Sequence, residues 1–397
     1  MKFFEITSTD KNTLARTGIL RTDHGDVKTP IFMPVGTAAA IKSLDSADIE
    51  ALDAEIILAN TYHLHLRPGA DRIEKLGGLH KFMDWNRAIL TDSGGFQVWS
   101  LGQKSRPEAS DDLDPKTDHG LSQIDDEGVT FRSHIDGSTH RFNPERAIEI
   151  QHQLGADIIM AFDQCTSDFS NEAEARLAME RTHRWAQQSL NAHLAGTRAP
   201  NHKQFLFGII QGSIYKNLRQ ESAKFITSLP FDGIAIGGET TGFNMKKTRE
   251  VLEWIEPILP KNKPLYTMGV GASPEDFFTV IEQGIDMFDC VAPTRLARNG
   301  SLYCRAAGAK NKFRIDIGNL QYAEDTTPVD NECSCLTCSR YSRAYLRHLF
   351  ISKELTYYRL ATVHNLAFML NLIKKIRTAI RGGKFLEFKN EWLSRAS

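Results

Sequence analysis

Eight short apolar runs of strand length, helical segments with start signals between them, and a polar residue closing most of the runs together predict an α/β fold, a (β/α)8 TIM-type barrel. The runs are Ile31 to Val35, Glu55 to Ala59, Ala88 to Asp92, Asp157 to Asp163, Gln204 to Gln211, Gly233 to Ile236, Leu265 to Met268 and Met287 to Asp289. Several are almost continuously apolar, as strands covered on both faces of a parallel sheet are. Asn143-Pro144-Glu145 and Ser273-Pro274-Glu275 each place a cap residue before a first-turn proline, and Glu172 and Glu174 follow Ser170 where a helix dipole favours acids. Counting strands does not establish closure, so a doubly wound open sheet stands as the alternative.

Two stretches interrupt the alternation. Lys104 to Glu127 carries eight acidic and three basic residues and reads as a solvated insertion, followed by a hairpin from Val129 to Phe142 that turns at Asp136-Gly137. Beyond the eighth run, Leu302 to Cys338 holds three clustered cysteines. The expected organisation is a catalytic barrel over 1–301 with the insertion at 104–127, a metal-binding subdomain over 302–361, and a helical segment over 362–397 that completes the barrel.

Composition bounds the function. The 397 residues are 41% hydrophobic and 24% charged, which supports a packed core and excludes a disordered or fibrous chain. No run approaches the roughly 20 apolar residues of a membrane span, and Met1-Lys2-Phe3-Phe4-Glu5 does not open a signal peptide. The expectation is a cytoplasmic protein with no membrane partner. Charge is uneven: from Arg340 to Ser397 twelve Lys or Arg stand against three Glu, a balance that suits phosphates as well as a solvated helix face.

In a barrel of this kind the active site lies at the carboxyl ends of the strands. There the sequence places Asn60, Asp92-Ser93-Gly94-Gly95-Phe96-Gln97, Asp163, Gln211-Gly212, Gly237-Gly238 and Asp289. Any one aspartate after a strand is ordinarily a cap or turn residue. Three aspartates and two amides on one rim form a joint pattern fit for acid and nucleophile roles on a polar ligand. Asp92-Ser-Gly-Gly also reads as a phosphate-binding turn, although it lacks the Lys-Ser/Thr of a P-loop.

Cys333-x-Cys335-x-x-Cys338 supplies three thiolates within six positions, so a tetrahedral zinc needs one further ligand. His348 and His364 both follow, and spacing does not choose between them. Four protein ligands would close the site and make it structural rather than hydrolytic. After Asp289, Arg295 and Arg298 offer two guanidinium groups to phosphates or base edges, or else form surface ion pairs.

Taken together, Asn60-Thr-Tyr-His-Leu, Asp92-Ser-Gly-Gly-Phe-Gln, Phe131-Arg-Ser-His-Ile-Asp-Gly, Phe162-Asp-Gln-Cys-Thr, Gly208-Ile-Ile-Gln-Gly, Met268-Gly-Val-Gly and Phe288-Asp-Cys-Val-x-Pro-Thr-Arg resemble the bacterial-type tRNA-guanine transglycosylases. The likeness keeps its order from about Arg16 to Ala379. It implies a zinc-bearing barrel, a homodimer, that exchanges guanine at the anticodon wobble position (34) of tRNA for a 7-substituted 7-deazaguanine, either the prequeuosine base preQ1 or queuine. By the resemblance Asp289 is the nucleophile and Asp92 the acid and base. Asp163, Gln211 and the Gly238 N–H read the purine edge, with Asn60 beside them, while Phe96 and Met268 sandwich its faces. Arg295 and Arg298 contact the anticodon, and His364 joins Cys333, Cys335 and Cys338 on one structural zinc.

The sequence departs from the family after the sixth run, where Gly-Gly-Leu-x-Val-Gly-Glu is replaced by Gly237-Gly238-Glu239-Thr240-Thr241-Gly242-Phe243. The family glutamate that would meet an aminomethyl ammonium is lost, with Glu239 as a candidate substitute, so the incoming base stays open between preQ1 and queuine, the hypothesis being a pocket that tolerates or prefers queuine. Competing classes are a non-catalytic tRNA-binding relative, against which Asp92, Asp163 and Asp289 speak, and a zinc hydrolase, which needs an open coordination position. An archaeosine-type enzyme is the nearest alternative within the family, distinguished by an additional RNA-binding domain that is not expected here.

Overall fold

The computed structural model describes residues 2–100, 122–196, 202–238 and 244–394. Each of the eight apolar runs forms a strand: β1 (Ile31–Met33 and Val35–Gly36, interrupted at Pro34), β2 (Ile56–Ala59), β3 (Ala88–Thr91), β4 (Ile158–Met160), β5 (Phe205–Ile210), β6 (Gly233–Ile236), β7 (Leu265–Thr267) and β8 (Met287–Asp289). All neighbouring strands pair in parallel. The first half of β1 pairs with β8 (Ile31 with Met287, Asp289 with Met33), and its second half pairs with β2 (Val35 with Leu58). The two sheet edges are therefore one strand, and the ring closes. That excludes the open sheet.

The near-continuous apolar character of the strands follows from this closure. Along each strand, residues facing the barrel interior alternate with residues facing the helices. Ile31, Met33, Val35, Ile56, Leu58, Ala88, Leu90, Ile158, Met160, Phe207, Ile209, Ala235, Tyr266 and Met287 form one buried cluster, the interior. Phe32, Ile57, Ile89, Ile159, Leu206, Ile234, Leu265 and Phe288 belong to the surrounding shell. Several ladders stop short of their expected ends, at Thr91, Met160, Ile210 and Thr267.

An antiparallel sheet precedes the barrel, formed by Phe4–Thr9, Arg16–Thr22 and Gly25–Thr29. Its Phe4, Leu20 and Val27 join the interior cluster and plug the amino-terminal end of the barrel. After β3, the expected hairpin pairs Val129–Arg132 with Thr139–Phe142. Residues 101–121 of the acidic insertion lie outside the described residues, but its far end, Ser122–Ile124, is a third strand on this hairpin rather than loop.

The helix signals place real helices. Asn143 caps Pro144–Leu154, and the Asn143 side chain accepts from the Arg146 N–H at 2.8 Å. The cap of Glu172–Ala195 is Asn171 in a reciprocal capping box with Glu174, one residue beyond Ser170. Near the carboxyl end, a 27-residue helix spans Leu355–Arg381 and runs unbroken through the boundary expected at 361. What changes there is the core it enters. Tyr357, Leu360 and Ala361 pack with Leu302, Ile317, Val329 and Leu346, whereas Val363, Leu366, Ile373 and Ile376 pack into the barrel shell. Among the described residues no helix is long and apolar enough to cross a membrane.

Candidate active site and metal centre

The rim continues the inward phase of the barrel. Two positions beyond the last interior residue, Asn60 follows Leu58, Asp92 follows Leu90, Gln211 follows Ile209, Met268 follows Tyr266 and Asp289 follows Met287. Period-two alternation therefore delivers an amide, a carboxylate, an amide, a thioether and a carboxylate to one mouth. Asp163 reaches it from the segment after β4, which has left the ladder at Met160.

Asp92 is held by the turn that carries it. Its Oδ1 accepts the Thr61 N–H at 2.9 Å and the Gly94 N–H at 3.2 Å, and its Oδ2 accepts from Asn60 Nδ2. The Gly94 N–H thus serves the aspartate, which corrects the reading of this turn as a phosphate cradle. Asn60 does two things at once, because its Oδ1 also caps the helix Thr61–Leu66 by accepting the His63 N–H. Burial raises the Asp92 carboxyl to about 7; the two N–H groups oppose the shift, and the nearby charges of Asp289 and Asp163 add to it.

Asp289 receives two donors on a single oxygen: Tyr266 Oη at 2.6 Å and the Gly269 N–H at 3.2 Å both reach Oδ1. Burial raises this carboxyl too, while these donors favour its charged form. Asp92 and Asp289 both remain part-exposed at the mouth.

Asp163 lies deeper. Its Oδ1 accepts Ser93 Oγ at 2.9 Å and its Oδ2 accepts Gln211 Nε2 at 2.7 Å, and burial raises its pKa. A Cβ on Gly95 would stand 2.5 Å from the Asp163 carbonyl oxygen, so only glycine permits this approach. Phe96, on the helix Gly95–Ser100, is exposed at the mouth, whereas Met268 packs on the barrel interior. β3 and β7 stand opposite each other in an eight-strand ring, which sets these two side chains on facing sides. Arg295 and Arg298 are half-buried on the helix Ala292–Arg298, immediately after β8. Glu239 lies outside the described residues.

Two residues escaped the sequence reading. Tyr266 is hidden inside an apolar strand, although its inward phase, two before Met268, is the signal that it faces the site. Arg219 is fully buried in the apolar stripe of the helix Lys216–Ser228. Its guanidinium donates to Ser213 O at 2.7 Å, Ile210 O at 3.1 Å and Gly237 O at 2.7 Å, clasping the ends of β5 and β6 behind Gly238. Burial lowers it to about 10. A lone arginine among Leu218, Ala223 and Ile226 is the cue that finds it.

The three cysteines meet His364 and not His348. Ligand atoms of Cys333, Cys335, Cys338 and His364 all lie within 4.8 Å of one another, a set able to hold a metal ion. His364 Nδ1 is 3.7 Å from Cys335 Sγ and 3.2 Å from Cys338 Sγ. Its Nε2 donates to the Tyr303 carbonyl at 2.7 Å, which leaves the Nδ1 lone pair for an ion. His348 is exposed on the helix Arg343–Ile351.

The family model described as queuine tRNA-ribosyltransferase matches residues 10–397. Proteins named queuine tRNA-ribosyltransferase are similar over nearly their whole length. That of Herpetosiphon aurantiacus is 49% identical over 395 residues, covering 100% of this chain and 93% of that protein. That of Caldanaerobacter subterraneus subsp. tengcongensis is 47% identical over 392 residues, covering 99% and 97%. That of Halothermothrix orenii is 47% identical over 390 residues, covering 98% and 96%. A barrel whose inward phase ends in carboxylates and amides, joined to a Cys3His cluster and matched along its length in this way, belongs to the queuine tRNA-ribosyltransferase family.

Proposed function

We propose that this chain is a tRNA-guanine transglycosylase, a pentosyltransferase that replaces guanine at wobble position 34 of an anticodon with a 7-substituted 7-deazaguanine by double displacement. The observation that carries the mechanism is the sharing of one mouth by Asp92 and Asp289 in different electrostatic settings. Asp289 attacks the anomeric carbon with Oδ2, since both of its donors occupy Oδ1. Asp92, raised to about 7, gives its proton to the departing guanine and takes one from the incoming base. A carboxylate on one face and an acid behind the leaving group give retention through a covalent ribosyl-enzyme intermediate.

Base recognition falls to Asp163, Gln211 and the Gly238 N–H, with Asn60 holding Asp92. The wobble base must leave its stack to be reached, and Phe96 and Met268 replace the lost stacking. Arg295 and Arg298 meet the anticodon loop. The chain works as a homodimer, and the Cys333, Cys335, Cys338 and His364 site takes zinc, whose full complement of protein ligands makes it structural. Glu239 receives the substituent of the incoming base, with queuine favoured over the prequeuosine base. Steady-state exchange with each base tests this preference, and a clear advantage for the prequeuosine base overturns it.

Denaturing gels of enzyme incubated with tRNA test the mechanism. The wild type should leave an RNA-linked protein band that added exchange base discharges, and Asp289→Asn should leave none. A band of equal intensity in that variant refutes the assignment of Asp289. Both proteins should lose tRNA affinity as salt rises, because phosphate contacts do not depend on the carboxylate.

A further inference from the structure

Three histidines from distant parts of the chain meet at the amino-terminal end of the barrel, opposite the mouth. His24 lies in the turn between Arg16–Thr22 and Gly25–Thr29, His80 in the helix Gly78–Met83, and His202 in the segment leading into β5. One ring nitrogen of each lies within 4.8 Å of one from each of the others, and all three side chains are half-buried. Beneath them Asp157, fully buried at the start of β4, is anchored by the Ile89 N–H on Oδ2 at 2.9 Å.

The hydrogen bonds decide which nitrogens carry protons. His24 Nδ1 meets Asp157 Oδ1 at 2.7 Å, His80 Nε2 meets Asp157 Oδ2 at 3.2 Å, and His202 Nε2 meets the Gly155 carbonyl at 2.8 Å. A carboxylate and a carbonyl only accept, so these three nitrogens are the donors. In the neutral rings His24 Nε2, His80 Nδ1 and His202 Nδ1 therefore keep their lone pairs. An imidazole anchored through one nitrogen on a carboxylate or carbonyl, with the other nitrogen available, is the usual outer arrangement of a metal-ligating histidine.

We propose that His24, His80 and His202 form a second metal site, for a divalent transition ion of the zinc and nickel class, at the base of the barrel. Three imidazoles suit such ions rather than calcium or magnesium, which take oxygen ligands. The buried carboxylate of Asp157 supplies the compensating charge, and the carboxylate of Asp23 adds to it beside His24. His24 and His80 stack at 3.5 Å with planes 12° apart, so lone pairs lying in these two nearly parallel planes do not converge on one point, while His202 stands at 76° and 78° to them. Coordination requires one ring of the stack to tilt. His24, in a two-strand turn and with a quarter of its side chain exposed, is the one placed to do so. The ion would clamp the amino-terminal sheet, the helix Gly78–Met83 and the approach to β5 together, on the face of the barrel where stability rather than catalysis is built.

The test uses the full-length protein with its Cys3His site loaded, equilibrated against buffered free Zn2+ and assayed for bound metal and for Tm. Wild type should take up one further equivalent and gain Tm with it. His24→Ala and His202→Ala, each at a partly exposed position, should weaken that equivalent by about 100-fold or more and abolish the gain in Tm. Both should keep the first equivalent, which reports that they fold. His152→Ala removes one partner of another close histidine pair and should keep both equivalents. Uptake of a single equivalent by the wild type, or a second equivalent unchanged in His24→Ala and His202→Ala, or lost in His152→Ala, overturns the proposal.

Discussion

Tyr266 and the Gly269 N–H both spend their hydrogens on one oxygen of Asp289, and that asymmetry makes predictions. Tyr266→Phe keeps the ring in the barrel and removes only the hydroxyl. A hydrogen bond to a charged group contributes about 1.5–3 kcal/mol to the ionised form, so the exchange rate should fall by about 10- to 100-fold on the acid side of its pH profile, where the variant's carboxyl holds a proton that the wild type's has lost. The Asp289 carboxyl, losing a donor that favours its charged form, should titrate higher. The low-pH limb of the rate profile should move upward, and an unchanged profile would argue against Asp289 as the ionised nucleophile. Asp92 responds in the opposite sense to its neighbour. The Asp289 charge raises its pKa, so Asp289→Asn should lower the Asp92 titration below about 7, as carboxyl-resolved infrared or NMR titration would read.

Among the elements, the helix Leu355–Arg381 ties the Cys3His cluster to the barrel. It carries His364 in the ligand set, Arg359 on Asp48, and Arg377 on the Lys28 carbonyl at 2.6 Å and on Glu55 at 3.2 Å. Metal removal should therefore be felt beyond the small core. Chelation under native conditions should lower Tm of the whole chain by about 5 °C or more, in a single transition. A separate early transition with an unshifted main one would mean that the helix does not transmit the loss. This coupling is only partly legible in sequence. Three cysteines in six positions point to a metal, but whether His348 or His364 joins them depends on how two different helices pack, which spacing does not give.

Across the whole molecule, Asp157 holds together parts that the sequence keeps far apart. Its donors, with His24 and His80 foremost among them, push its carboxyl below the ordinary range despite burial, and a depressed carboxyl stabilises the fold above its unfolded pKa. Asp157→Asn should cost about 3 kcal/mol near neutrality, read by denaturant unfolding. The difference from wild type should shrink as pH falls below the usual aspartate range, and a difference that grows in acid would contradict this assignment.

The barrel itself is legible because buried parallel strands must be apolar throughout, and the rim because a polar residue closing such a run is conspicuous. The amino-terminal sheet is not, since Phe4–Thr9 exposes Glu5, Thr7 and Thr9 and shows no continuous apolar run. Closure at Pro34 is equally silent, because it depends on which edges meet in space. The His24, His80 and His202 group escapes for the same reason.

The alternation that sets Asp92 two places after Leu90 makes the chemistry hostage to counting along the chain. Deleting one residue inside Ala88–Thr91 would swing the carboxylate out against the helices and bring Ser93 to the centre. Such a deletion should abolish turnover even where the barrel still forms, much as a frameshift garbles a message whose letters are all intact.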